Sequence, residues 1–139
     1  MGDVKGDLIS VKMKLEHGKM IKLLDDFVKG KKGAFELLRD SQSKHASAEE
    51  QAIMIFYEGK KDFKLLKDIL EQHETLRGYL STMNTDPSAA KKYEKLMREH
   101  IALEDKKFYP MLDKDLTPAE QKKIFENFLY LFGQKIKAV

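Results

Sequence analysis

The chain has 139 residues, 42% of them hydrophobic, and sets 26 Lys and Arg against 23 Asp and Glu for a net charge of +3. That size suits one domain around a single core, and the absence of cysteine excludes disulfides, thiolate zinc sites and cysteine-held iron–sulfur clusters. The charge is spread over Lys31-Lys32, Lys60-Lys61, Lys91-Lys92 and Lys122-Lys123 among acids, with no aromatic-basic stripe, which is the pattern of a solvated surface rather than of a nucleic-acid or acidic-membrane partner.

Three prolines, eight glycines and abundant Lys, Glu, Leu and Ala predict an all-α fold. The first predicted helix covers about residues 8 to 30, with Met13, His17, Met20, Ile21, Leu24 and Val28 on one face, and stops at "KGKKG", where Gly30 and Gly33 can end it. The second carries Leu38, His45, Ala48, Glu49, Ala52, Ile53 and Phe56 inward and ends at Gly59. Asp62 caps a third, whose face holds Leu66, Ile69, Leu70, His73, Leu76, Leu80 and Met83. It runs into "NTDP", where Asp86 caps the next helix and Pro87 takes a first-turn position that needs no amide hydrogen. The fourth presents Tyr93, Leu96, Met97, His100, Leu103, Glu104 and Phe108 until Pro110 disrupts it. A short fifth helix, about 118–137, opens at "TPAE" with Thr117 and Glu120 at capping-box spacing, continues through Ile124, Phe125, Phe128, Leu131 and Phe132, and covers the bundle. The expectation is a single domain over 1–139, with the bundle at about 8–112. The longest apolar run, "AIMIFY", is far short of the roughly 20 residues that cross a bilayer. "MGDVKGDLIS" lacks the apolar block of a signal peptide, so a cytoplasmic protein without a membrane partner is expected.

All four histidines fall on inward faces, one per long helix. The separations are 28 residues from His17 to His45, 28 from His45 to His73 and 27 from His73 to His100. In antiparallel helices two residues share a height when the turn lies midway between them, because each residue rises about 1.5 Å. The midpoints fall near 31, 59 and 86.5, on "GKKG", Gly59 and Asp86-Pro87. Turn signals independent of the histidines therefore place the four imidazoles in one layer of an up-down-up-down bundle. Glu49 and Glu104 lie four residues, one helical turn, beyond His45 and His100 and join the layer. Each half of the chain thus supplies His, then His-x-x-x-Glu, as two hairpins facing a shared site.

Four imidazoles and two carboxylates buried together are costly unless a cation compensates them. Nitrogen and oxygen donors without sulfur suit iron, manganese or zinc, and six residues exceed what one ion with an open position needs. With Glu49 and Glu104 bridging and a shared oxo or hydroxo group, each of two ions receives five donors and keeps one position for a small molecule. A hydrogen-bonded core is a poor account of four histidines in register. Met13, Met20, Met83 and Met97 read as core filler, and Tyr93 as packing or a pocket hydrogen bond. Asp105, beside Glu104, becomes the ligand if the helix is slightly rotated; the spacing of Glu49 favours Glu104. Ferritin-like bundles need Glu-x-x-His, but Lys14, Gln42, Leu70 and Met97 stand three before the histidines. A zincin is excluded by the lack of His-Glu-x-x-His.

"LEHGKM", "KHASAEE", "EQHETL" and "EHIALED" resemble the four helices of the hemerythrin-like, or HHE cation-binding, family over about residues 10 to 112. The resemblance implies a four-helix bundle with a carboxylate-bridged, non-haem di-iron centre that binds O2 or a related diatomic such as NO, and it makes His17, His45, Glu49, His73, His100 and Glu104 the iron ligands. One departure stands out. Oxygen-carrying hemerythrins have a further histidine four residues after the third-helix one and an aspartate five after the fourth-helix one; here these positions are Arg77 and Asp105. Without that histidine, oxidation chemistry or another ligand gains ground over reversible oxygen carriage. The family's di-iron repair proteins have a closer ligand set but carry a cysteine-containing N-terminal segment not found here. The functional expectation is a protein holding O2 or NO for sensing, storage or delivery. The alternative is a di-iron enzyme consuming peroxide, O2 or NO, with Tyr93, Tyr57 or Tyr109 as proton donor, or an iron-handling or stress-repair protein.

Overall fold

Four long helices carry the fold: α1 (Ile9–Val28), α2 (Ala34–Ala48), α3 (Phe63–Leu80) and α4 (Pro87–Leu103). The computed structural model describes residues 8–57, 63–128 and 130. Gly59, Asp62, Leu131 and Phe132, where several of the expected helix ends and faces fall, lie outside that set, as does the side chain of Phe56.

The reversal between α1 and α2 is made by backbone that few residues adopt. Gly30 and Gly33 have φ of 80° and 82°, the left-handed region that a Cβ disfavours, and the amide of Lys31 donates to the Asp26 carbonyl at 2.9 Å. With so short a turn the two helices pack side by side and antiparallel, as do α3 and α4. At the second reversal the Asp86 carboxylate accepts the Ser88 amide at 2.9 Å and Pro87 opens α4, as the sequence indicates. The result is the expected up-down-up-down bundle closed by a short C-terminal helix.

Two departures from the continuous α-period bear on the site. After Ala48 the chain makes a π turn, Glu49–Ile53, then a 3-10 turn, Met54–Tyr57. After Leu103 it makes a second π turn, Glu104–Phe108, and continues as α5 (Tyr109–Asp115). Pro110 therefore does not end the fourth helical stretch. It sits at the start of a new α segment, where its missing amide hydrogen leaves no bond unmade. The last described helix, α6 (Pro118–Phe128), begins with the reciprocal cap expected of "TPAE": Thr117 N–H to Glu120 at 2.9 Å and Glu120 N–H to Thr117 Oγ at 3.1 Å.

The core forms two apolar clusters. One holds Ile9, Met13, Ala52, Ile69, Phe108 and Leu112 with Ile124 and Phe128 of α6. The other holds Leu24, Leu38, Leu76, Met83, Tyr93 and Met97. Along α1, α2 and α3 the histidine falls between them, and His100 of α4 stands between Met97 of the second and Phe108 of the first, so the polar layer has apolar packing at both ends. All four expected core methionines are buried. Val28 and Leu70, expected inward, are 57% and 42% exposed. Val28, the last residue of α1, is about 100° around the helix from Phe27, which packs on the second cluster, and Leu70 is about 100° around α3 from fully buried Ile69; both fall outside a stripe narrower than the sequence suggested.

Candidate metal centre

The four imidazoles and the two inner carboxylates stand at one height and within contact distance of one another. His17, His45, Glu49, His73, His100 and Glu104 are each 3% exposed or less. Their Nε2 atoms and carboxylate oxygens face one another: His17 to Glu104 Oε1 at 2.9 Å, His73 to Glu49 Oε1 at 3.0 Å, His45 to Glu49 Oε2 at 3.2 Å and His100 to Glu104 Oε2 at 3.2 Å. The six residues form two overlapping groups, His17, His45, Glu49 and Glu104 in one and Glu49, His73, His100 and Glu104 in the other. Both glutamates belong to both groups.

The opposite edge of each imidazole is held by the neighbouring helix, in a closed circuit. Glu16 of α1 meets Nδ1 of His45 at 2.8 Å, Glu50 meets that of His73 at 2.8 Å, Gln72 of α3 meets that of His100 at 2.7 Å, and Asp105 meets that of His17 at 2.9 Å. An Nδ1–H donated outward leaves the Nε2 lone pair facing the centre, the tautomer a metal requires. The sequence is two-fold here as well: Glu16-His17 with Glu49-Glu50 answers Gln72-His73 with Glu104-Asp105. Only Gln72 breaks the match in charge.

Each π turn begins at an inner glutamate. Its wider bond closes from the residue five positions on, Met54 N–H to Glu49 O in one half and Tyr109 N–H to Glu104 O in the other. Five residues along an α-helix would end about 140° off the face; the extra residue in the turn brings Tyr109 back toward it. The Tyr109 hydroxyl lies 2.5 Å from Glu49 Oε2, 3.1 Å from Glu104 Oε1, 3.0 Å from His17 Nε2 and 3.2 Å from His45 Nε2. Of the three tyrosines considered as proton donors, it alone reaches the cluster; among the described residues the buried hydroxyls of Tyr57 and Tyr93 meet no hydrogen-bond partner.

The electrostatics describe a hole shaped for positive charge. Burial opposes ionisation of His45, yet the Glu49 charge and bonds to Glu104 and Glu16 raise its pKa well above the usual imidazole value. Burial likewise opposes the charge on His73, and Glu104, Glu49 and Glu50 together push it up to about 11. The Glu104 carboxyl is buried, which favours its neutral form, but His100 and the other imidazoles hold it well below the carboxylate range. Burial and the two carboxylates raise the Tyr109 hydroxyl well above the phenol range.

The donor set fits a cation. His100 Nε2 and Glu104 Oε2 are both buried and lie 3.2 Å apart, and among the described residues neither has a well-aligned hydrogen bond, so two donor atoms face common space. The family model for the hemerythrin HHE cation binding domain matches residues 8–112. The chain belongs to the hemerythrin HHE cation-binding domain family. No curated protein and no solved structure matches it.

In this hemerythrin domain Asp105 lies outside both donor groups and serves as the outer partner of His17, while Glu104 belongs to both. Arg77 points away from the cluster and donates to Glu50 Oε2 at 2.9 Å. Glu16, Glu50 and Gln72 are functional candidates that the sequence reading missed. Their one visible signal is position, since each adjoins a cluster residue in the chain and serves a histidine of the following helix.

Proposed function

We propose that this is a non-haem di-iron hemerythrin-like protein that takes up O2 or NO at a carboxylate-bridged centre, for sensing, storage or delivery. His17 and His45 hold one ion, His73 and His100 the other, and Glu49 and Glu104 span both. The whole chain serves as one such domain, in the cytoplasm. The observation that carries this reading is the pair of four-residue groups sharing both glutamates, since one ion has no use for six buried donors. Iron held there supplies a redox-active ion with room for a small ligand.

The chain's own residues prepare that chemistry. The Nδ1 partners fix tautomer and ring orientation, and the two apolar clusters keep bulk water from the layer. On the side away from Tyr109, Gln42 lies three residues before His45 on the same face of α2; it is 1% exposed and among the described residues neither amide atom has a hydrogen-bond partner. A buried amide with free donor and acceptor atoms thus stands directly above the polar layer.

A second reading, catalytic consumption of peroxide, O2 or NO, is favoured by Tyr109, whose hydroxyl is within hydrogen-bond reach of both inner carboxylates. Anaerobic reconstitution with ferrous iron separates the two. Two irons per chain and a reversible spectral change on adding and removing gas are expected; turnover of the added gas instead favours the enzyme, and one iron or fewer overturns the paired centre.

A further inference from the structure

The two donor groups are not equivalent, and the difference lies in one residue. Tyr109 O–H is within 3.2 Å of an atom from every member of the His17, His45, Glu49 and Glu104 group. A phenol has one proton and can satisfy one of those four neighbours. An oxygen surrounded by two imidazole nitrogens and two carboxylate oxygens at such distances occupies the place of a fifth donor around a shared cation. At the equivalent position of the other half stands Met54, which closes the same π bond to Glu49. A thioether is a soft ligand, poorly matched to ferric iron. The residue one turn beyond His73 is Arg77, turned toward Glu50, so α3 supplies the second group with no additional donor there. Among the described residues, the two buried atoms of the inner cluster without a well-aligned hydrogen bond, His100 Nε2 and Glu104 Oε2, lie on the side of His73 and His100, with Oε2 3.2 Å from His100 and 3.6 Å from His73.

Resting on the di-iron reading above, we propose that Tyr109 is a protein ligand to the ion held by His17 and His45, closing that position, and that external ligands enter at the ion held by His73 and His100. The metal takes the place of the phenolic proton, which is released to solvent as the site loads. The asymmetry follows from the π turn at Glu104–Phe108, which aims a hard oxygen donor at one ion, while the matching turn at Glu49–Ile53 is followed by methionine.

The test is resonance Raman spectroscopy of the iron-loaded, oxidised full-length protein, with iron counted in the same sample. Phenolate ring vibrations enhanced by a visible charge-transfer band are expected, shifting when the protein is made with ring-deuterated tyrosine. Tyr109→Phe is expected to abolish them while keeping two irons, and Tyr57→Phe and Tyr93→Phe to retain them. Two irons with no phenolate signature in the wild type overturn this proposal and leave the di-iron reading standing; one iron or fewer overturns both. Azide titration of the same samples checks the closed position. One azide per chain is expected for the wild type and two for Tyr109→Phe, and an equal count in both proteins overturns it.

Discussion

A neutral imidazole ligates only through the nitrogen that carries no proton, so the partner of each Nδ1 decides whether the histidine is ready for a metal. In this chain every such partner comes from the preceding helix of the circuit. Glu50 bears the heaviest duty, accepting from His73 at 2.8 Å and from Arg77 at 2.9 Å. Burial opposes its charge, but His73 and Arg77 hold its carboxyl below the ordinary value. Glu50→Ala removes no proposed ligand, yet metal affinity is expected to fall by about 10-fold to 100-fold, the usual effect of losing an orienting partner. Competition against a chromophoric chelator measures it, and an unchanged affinity would show that packing alone aims His73. The ligand assignment itself is checked by His73→Ala, which is expected to lower the iron content from two per chain to one or none.

At the scale of elements, the centre depends on where helices stop being regular. Both π turns begin at inner glutamates and occupy the same place in the two halves of the chain, so they belong to the site rather than to accidents of packing. The turn between α1 and α2 is the other critical joint, because it sets His17 and His45 at one height. At Gly33 a Cβ would meet nothing within 4 Å, so the cost of a side chain is purely that of a φ of 82°. Gly33→Ala is therefore expected to destabilise the protein by about 1–2 kcal/mol, read as a lower urea midpoint with an unchanged slope. A neutral result would mean the turn relaxes to another conformation. That relaxation would tilt α2 and show as weaker metal retention.

For the whole molecule the buried charges predict how stability follows pH, and the sign depends on the metal. Without metal, His45 and His73 have raised pKa values, so their contribution is complete below about 6.5, the unfolded value, and fades as pH climbs toward the folded value of about 11 for His73. Glu104, held well below 4.5, contributes above 4.5 and loses that contribution as pH falls through its folded value. The chelated protein is thus expected to be most stable between about 4.5 and 6.5. With metal bound the trend reverses at neutral pH, because the ion displaces the imidazole protons and binds more tightly as pH rises. Thermal melts from pH 5 to 9, with and without chelator, measure both curves. A metal-free melting temperature that climbs from pH 6 to 9 would contradict the protonated cluster.

The helix period, the turn residues at Gly30, Gly33 and Asp86-Pro87, and the even spacing of the histidines were legible in the chain alone. They are local or arithmetical properties: a helix has a fixed rise, and a turn midway between two residues brings them level. That was enough to determine the bundle and the six residues at its centre. The two π turns, the continuation through Pro110 and the exposure of Leu70 were not legible, because each depends on which neighbours a residue packs against. The circuit of Glu16, Glu50, Gln72 and Asp105 was hidden for the same reason. Each of these side chains acts on a histidine of a different helix, at a chain distance of 23 to 88 residues. Tyr109 was one of three tyrosines the chain offered as proton donor, but the choice among them was not legible, since an α-period points it away from Glu104 and only the inserted residue of the turn returns its oxygen to the cluster.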